Sequence, residues 1–397
     1  MWSPQPPQLP VQLRRPTLPI FSQGRKRSRR LNRIAASQED PLTALSRVLW
    51  GRALPPSQLV LAVRHGWTAA WRILMRQLAP SDPATGAFTR TPSRFPAVVA
   101  APSPGARLHL YVGLPCPWAH RALVVRALLG LDRRLPVSVA VPGDDGAWSF
   151  TPDSPDALYG KRRLRDVYAA RRGGFEGRAS VPMLWDADRR EVVCNESIEI
   201  AKFLCTLADA DDNNTSTGAP DLWPPELRQE IDRWYGVIYP SVNNGVYRCG
   251  FAQSQAAYDT AAGELFDALD MLEDHLSKSR YLCAAGSSMT LADVCLFTTL
   301  IRFDLVYNPL FRCSRRKLVE YPSLHAYTRE IYQMPGVAET CDMDAIADGY
   351  FGTLFPLNPG GIQPVVPASC DLEALMKPHG REAVPSGRQL GATATIG

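Results

Sequence analysis

Between residues 107 and 207 the hydrophobic pattern changes period several times. Leu108-His109-Leu110-Tyr111-Val112 reads as a short strand. Cys116-Pro117-Trp118 follows, then an apolar-periodic helix to Leu129 closed by Gly130. Pro136 to Val141 reads as a second strand, and a long loop carrying Trp148 leads to a polar helix around Ala157 to Arg171. Val181-Pro182-Met183-Leu184-Trp185 is a third strand, Glu191 to Cys194 a fourth, and Glu196 opens a helix that ends near Leu207. The order β-α-β-α-β-β-α predicts a thioredoxin-like α/β domain over 106–208. From Pro224 to about Tyr350 the period is helical throughout. Ala257 to Leu276 is a long amphipathic helix, and Met289-Thr290-Leu291-Ala292-Asp293 opens another. Thr290 is its expected N-cap, with Asp293 in the capping-box position.

Polar, Pro-rich stretches separate these blocks. Residues 1–38 read as a disordered or targeting segment, and 39–105 as an N-terminal extension. The extension holds a helical stretch around Leu59 to Leu78, then an extended Pro-, Ser- and Thr-rich arm. An Asp-, Asn-, Thr- and Gly-rich linker covers 209–222, an all-helical domain 223–367, and a polar, Gly-rich tail, expected to be disordered, 368–397. No repeat recurs along the chain.

Composition changes this picture at one place. The 397 residues are 45% hydrophobic and carry a net charge of +5. Residues 1–38 hold eight of the basic residues and no acid, so the rest of the chain is near −3. The basic character therefore gives no argument for nucleic-acid binding by the folded part. An acid-poor, Arg-rich start with Ser and Pro reads as an organelle transit peptide, with chloroplast the first expectation and mitochondrion or cytoplasm the alternatives. The other reading of Arg25 to Arg30 is a basic tail or nuclear signal. No apolar run reaches the ~18 residues of a membrane span. The nine cysteines show neither a CxxC nor a Cys/His ligand spacing, so no metal is expected.

One cysteine stands apart. Cys116 follows a strand and opens a helix, where free backbone N–H groups and the helix dipole favour a thiolate. Pro117 at the first turn gives up no needed donor. The alternative is a buried structural cysteine. Ala119 occupies the place of a second dithiol cysteine, so Cys116 must pass its oxidised state to another thiol, and glutathione is the natural candidate. Val181-Pro182, 65 residues later, is a candidate cis bond that would expose the Val181 backbone to an extended peptide; otherwise Pro182 is a plain edge-strand proline. Asn195-Glu196-Ser197 opens a helix whose N–H groups and Ser197 hydroxyl suit a carboxylate, while Glu196 suits an ammonium. Glutathione's γ-glutamyl end offers both, although an ordinary capped helix reads the same way.

Taken together, Cys116-Pro117-Trp118-Ala119-His120-Arg121, Ser180-Val181-Pro182-Met183-Leu184-Trp185-Asp186, Asn195-Glu196-Ser197 and Asn243-Asn244-Gly245-Val246-Tyr247-Arg248 resemble the glutathionyl-hydroquinone reductases, the xi class of glutathione transferases. Arg302-Phe303-Asp304, the segment Gln333 to Thr340, and Asn358-Pro359 add to the likeness, which runs from about 85 to 367. The resemblance implies an α/β thioredoxin-like N-terminal domain, an all-α glutathione-transferase C-terminal domain, and a homodimer joined through the helical domains. It implies glutathione as co-substrate and Cys116 as nucleophile. Trp148, Arg178, Val181, Glu196 and Ser197 are the implied glutathione contacts, and Tyr247 and Tyr350 face the aromatic substrate. Leu354 stands where the family often has His.

The implied reaction converts glutathionyl-hydroquinone and glutathione to hydroquinone and glutathione disulfide through a Cys116–glutathione mixed disulfide. Three alternatives stand beside it: a conjugating transferase, a dehydroascorbate reductase, and a non-catalytic binding module. A Ser or Tyr at 116 would suit conjugation better than Cys.

Overall fold

A computed structural model describes residues 45, 49, 55–98, 105–143, 145–209, 219–283 and 288–385. The expected transit segment, the linker centre and the end of the tail lie outside the described residues. The chain divides into two units, Met1–Thr68 and Ala69–Gly397. Helix α1, Ser57–Leu78, begins in the first and ends in the second. Everything below concerns the second unit.

Its sheet is built on β1, Leu108–Val112, whose five residues are all buried. A strand buried on both faces must lie inside a sheet, with neighbours on either side. β2, Val137–Val139, pairs with it in parallel, Leu110 opposite Val137. On the other edge β5, Met183–Asp186, runs antiparallel, Leu110 opposite Leu184, and β6, Glu191–Cys194, pairs antiparallel with β5. The order β2-β1-β5-β6 is the thioredoxin-like arrangement. Helices α2, Pro117–Leu128, and α4, Ser197–Asp209, pack against one another.

Two elements depart from the sequence reading. The expected second strand splits after Ala140. Val141–Pro142 (β3) turns away to pair with Trp148–Ser149 (β4), closed by Gly143 N–H to Ala147 O at 2.7 Å and by Gly146 at φ +73°. That hairpin is what carries Trp148 inward. The polar helix expected over 157–171 shrinks to α3, Leu164–Ala169. The Asp156 carboxylate accepts the N–H groups of Leu158, Tyr159 and Lys161 at 3.0–3.3 Å, and Gly160 sits at φ +63°. A side chain that captures backbone donors in this way competes with the helix.

The helical domain comprises α5, Arg228–Ile238; α6, Gly245–Gly250; α7, Gln255–Lys278; α8, Leu291–Leu300; α9, Pro322–Tyr332; and α10, Met343–Thr353. All ten residues of α8 are buried, as expected for a central helix that is apolar all round. Its capping box forms: Asp293 accepts the Thr290 N–H at 2.8 Å. α2 of the sheet domain packs on α8, so the two domains share a core.

The C-terminal segment corrects another expectation. The chain from 368 to 385 is folded onto the helical domain rather than disordered. Cys370 is buried and Asp371 caps the short helix Leu372–Leu375. Arg381 is 3% exposed: its Nε donates to Glu330 at 3.0 Å, and Nη1 and Nη2 donate to the carbonyls of Leu276, Ser279 and Arg280 at 2.7–3.0 Å. Arg381 thus ties the stretch to the helical domain, beside the buried Cys370 and Leu375 and the Gln333 amide, which donates to Leu375 O and Lys377 O at 2.8 Å. Arg381→Ala would strand the Leu276, Ser279 and Arg280 carbonyls and one carboxylate oxygen. A loss of roughly 2–4 kcal/mol in unfolding free energy is expected, measured by urea denaturation.

Candidate active site

Cys116 is the N-cap of α2, in extended conformation at φ −75°, ψ 116°, with Pro117 in the first turn. Its own N–H is spent on Gly113 O at 3.0 Å. The Val181–Pro182 bond is cis, and the Cys116 thiol donates to Val181 O at 3.5 Å. Cys116 is half-buried, whereas the other eight cysteines are buried.

Two glycines let neighbours close on the cysteine loop. A Cβ at Gly113 would overlap the indole of Trp148, and one at Gly349 would overlap the ring of Pro115. The first contact sets Trp148 against the loop. The second presses α10 onto it and fixes Tyr350, the next residue. Neither glycine was singled out in the sequence, where nothing local marks a close approach between distant segments.

The electrostatics of Cys116 are opposed. Burial pushes the thiol up. The backbone N–H groups of Ala119 and Trp118 and the charges of Arg302 and Arg90 pull it down, but burial prevails. The thiolate-favouring helix terminus expected from sequence is therefore present and outweighed.

Arg302 is fully buried and anchors the same loop from the helical domain. It donates to Leu114 O at 3.0 Å, Pro115 O at 3.2 Å, Thr298 O at 2.9 Å and the His120 Nδ1 at 2.9 Å. Burial and Arg302 hold His120 well below the usual imidazole range, so it is neutral. With Nδ1 accepting, its Nε2–H faces the Thr340 hydroxyl at 2.9 Å.

Tyr247 and Tyr350 come together although 103 residues separate them. Their hydroxyls are 2.6 Å apart, and the Tyr307 hydroxyl lies 3.1 Å from that of Tyr350. Burial pushes all three phenols up, so each keeps its proton. Tyr247 is near enough for charge on Cys116 to raise it further. Tyr307 escaped the sequence reading because it is one of thirteen tyrosines and only the fold brings it to the other two.

Ser197 is buried at the start of α4, where its hydroxyl accepts from Arg121 Nη1 at 3.2 Å. Arg121 Nη2 donates to Asn243 Oδ1 at 2.6 Å, and its Nε is buried with no partner among the described residues. Glu196 is half-buried beside Ser197 and adds a negative charge near Arg121. This helix start, with a hydroxyl, a carboxylate and a guanidinium behind them, can receive a zwitterionic amino-acid end. Arg178 is the outlier. It is exposed, with Nη1 3.4 Å from Leu78 O, and makes no described hydrogen bond to the other candidates. Among the described residues no group of three or more His, Cys, Asp or Glu could hold a metal ion, and no helix is long and apolar enough to cross a membrane.

Residues 115–207 match the glutathione S-transferase N-terminal domain family, and residues 255–330 the corresponding C-terminal domain family. The glutathionyl-hydroquinone reductase YqjG of Escherichia coli (strain K12) is 40% identical over 309 residues, covering 77% of this chain and 87% of that protein. The glutathionyl-hydroquinone reductase PcpF of Sphingobium chlorophenolicum is 40% identical over 290 residues, covering 71% and 90%. The chain belongs to the xi-class glutathione transferases. The glutathione-bound structure of YqjG superposes with a TM-score of 0.65, covering 73% of this chain and 95% of that one at 40% identity. The xi transferase of Phanerochaete chrysosporium gives a TM-score of 0.66 at 35% identity, covering 72% and 95%. The xi-class likeness thus spans both domains and the junction where Cys116, Arg302 and the tyrosines meet.

The balance of charges at Cys116 has a measurable outcome. In glutathione-free protein its alkylation by iodoacetamide should rise with pH through a midpoint above the ordinary cysteine value of about 8.5, because burial exceeds the stabilising terms. Peptide mass spectrometry of the Cys116 adduct against pH checks this; a midpoint near 7 would contradict it.

Proposed function

We propose that this xi-class transferase is a glutathionyl-hydroquinone reductase working through a Cys116–glutathione mixed disulfide. The observation that carries the reading is the opposition of a half-buried thiol to three hydrogen-bonded phenols, one of them close enough to sense its charge. The names of the relatives support the substrate class.

The sulfur of Cys116 attacks the sulfur of a glutathionyl-hydroquinone. The S–S bond forms as the sulfur–aryl bond breaks, and the electron pair leaves on the aromatic carbon. That carbon takes a proton, equal in number to the one Cys116 gives up, through the Tyr247–Tyr350–Tyr307 phenols. A second glutathione attacks the mixed disulfide, releases glutathione disulfide and restores the thiol. The two sulfurs are oxidised and the aromatic carbon is reduced, so no further oxidant or reductant enters. The Val181 backbone, the Glu196–Ser197 helix start and Trp148 hold the glutathionyl group in this scheme.

The reading extends to assembly and address. A homodimer through the helical domains follows from the family, and delivery to the chloroplast, or otherwise to the mitochondrion, from the Arg-rich, acid-free first 38 residues.

Cys116→Ala should lose turnover of a glutathionyl-hydroquinone panel and the glutathionyl mass adduct formed with oxidised glutathione; residual turnover near the parent rate would sink the mechanism. Tyr247→Phe and Tyr350→Phe should keep the adduct but slow turnover by roughly 5- to 150-fold, the rate equivalent of ~1–3 kcal/mol for a desolvated hydrogen bond. Parent rates in both would make these tyrosines packing residues. Residues 1–45 fused to a fluorescent reporter should enter an organelle of plant or algal cells, and a diffuse cytosolic signal would count against the transit peptide.

A further inference from the structure

The arm of residues 81–98 lies outside the matched transferase domains, yet it reaches the active site. It is fastened to the helical domain by Gln253 N–H to Gly86 O at 2.9 Å, by the Ser254 hydroxyl to Thr85 O at 2.6 Å, and by the rings of Phe88 and Phe251 at 5.4 Å. It is fastened to the sheet domain by Asn195 N–H to Phe95 O at 3.1 Å. Between these anchors it carries Arg90 to the junction. The Arg90 guanidinium carbon lies 4.5 Å from the Trp118 ring centroid and 4.9 Å from that of Tyr247, and Nε donates to Asn244 Oδ1 at 2.9 Å. Its Nη2 is buried with no partner among the described residues.

The two rings it covers adjoin the proposed reacting groups. Trp118 is two residues after Cys116, and its backbone N–H favours the thiolate. Tyr247 carries a phenol of the relay. Arg121 also lies over Trp118, its guanidinium carbon 4.5 Å from the ring centroid, so the indole contacts two cations. A planar guanidinium held against aromatic faces, with one N–H given to an amide oxygen, is held in place by its plane as well as its charge.

We infer that Arg90 is a positioning residue for the proposed reaction, a cation delivered by the arm that fixes Trp118 and Tyr247 and stabilises negative charge on the Cys116 sulfur. The charged and titratable groups facing that sulfur are Arg302 from the helical domain, Arg90 from the arm and Tyr247 from α6, with His120 neutral. Arg302 is spent on four acceptors of its own, whereas Arg90 retains an unpaired N–H. The inference rests on Cys116 being the reacting thiol and is independent of which aromatic substrate is used.

The test is the pH profile of Cys116 alkylation in the full chain, read beside the melting temperature and turnover. In Arg90→Gln the alkylation midpoint should move up by roughly half to one pH unit, the lower end of the effect of a nearby opposite charge. At a fixed pH below the midpoint that is roughly three- to tenfold less thiolate. Arg90→Lys, which keeps the charge, and Asn244→Ala, which removes the Nε acceptor but keeps the charge, should stay within about 0.3 units of the parent. An arm that only holds the fold together would lower the melting temperature and turnover without moving the midpoint. A parental midpoint in Arg90→Gln overturns the inference. Should that variant fail to fold, Arg90→Met takes its place under the same criterion, and shifts of half a unit or more in the two charge-preserving variants also overturn the inference. If the midpoint moves as expected but the parent turns over no glutathionyl-hydroquinone, only the proposed substrate fails. If the parent turns it over and the midpoint stays put, only the role of Arg90 fails.

Discussion

The buried Arg302 guanidinium ties the helical domain to the loop that carries Cys116. Arg302 leaves the end of α8 and satisfies itself on the carbonyls of Leu114 and Pro115 and on His120, all in the segment that carries Cys116. A charge with no exposure must be fully paired or it becomes a large penalty. Two of its acceptors, Leu114 O and Pro115 O, are loop carbonyls outside the strand and helix on either side of them. Each side therefore needs the other: the loop is shaped by Arg302, and Arg302 is tolerable only because the loop is there. The proposed chemistry occurs across this junction, with the thiol on one domain and the phenols on the other. A hinge between them would misplace the reacting atoms, and a displacement of about 1 Å can cost two orders of magnitude in rate.

Around that tether the packing is made tight by subtraction. Gly349 allows α10 to lie against Pro115, and Gly113 admits the Trp148 ring. The aromatic cluster of Tyr247, Phe251, Tyr307, Phe311 and Tyr350 then fills the helical side, with ring centroids 5.3–6.1 Å apart. Rings at such spacings have few alternative rotamers. The three hydroxyls are consequently held in one hydrogen-bonded group, which an isolated surface tyrosine could not achieve.

Much of this was legible along the chain because the signals are local. The alternation of strand and helix, the Thr290–Asp293 box, Cys116 before a helix and the proline after Val181 each declare themselves within a few residues. What escaped depends on contacts between distant segments. Arg302 entered only as part of a resembling segment with no role attached, and Arg381 was not singled out, since a sequence does not show that carbonyls from elsewhere will surround them. The tail from 368 read as disordered for the same reason: its buried Cys370 and Leu375 and the Arg381–Glu330 pair find their partners on distant segments. The helix expected from 157 was lost to Asp156, which was read as loop and turned out to take three backbone donors. Arg178 was placed at the site by resemblance alone, and no described contact ties it there.

The protonation state of the site follows from its burial. In the protein without ligand the thiol and all three phenols are pushed towards their neutral forms, and His120 is held neutral as well. An apolar site of this kind disfavours any step that creates net charge. The proposed transfer creates none overall: the proton that Cys116 loses is replaced, atom for atom, by the proton that the aromatic carbon gains. Charge exists only in passing, first on sulfur and then on the departing ring. Stabilisation is useful at those two places alone, and the fixed cations and N–H groups of the junction lie beside the first of them. The thiolate is the attacking form, so the donors and cations fixed beside the sulfur lower the cost of forming it in a buried site, where burial alone would hold the proton in place.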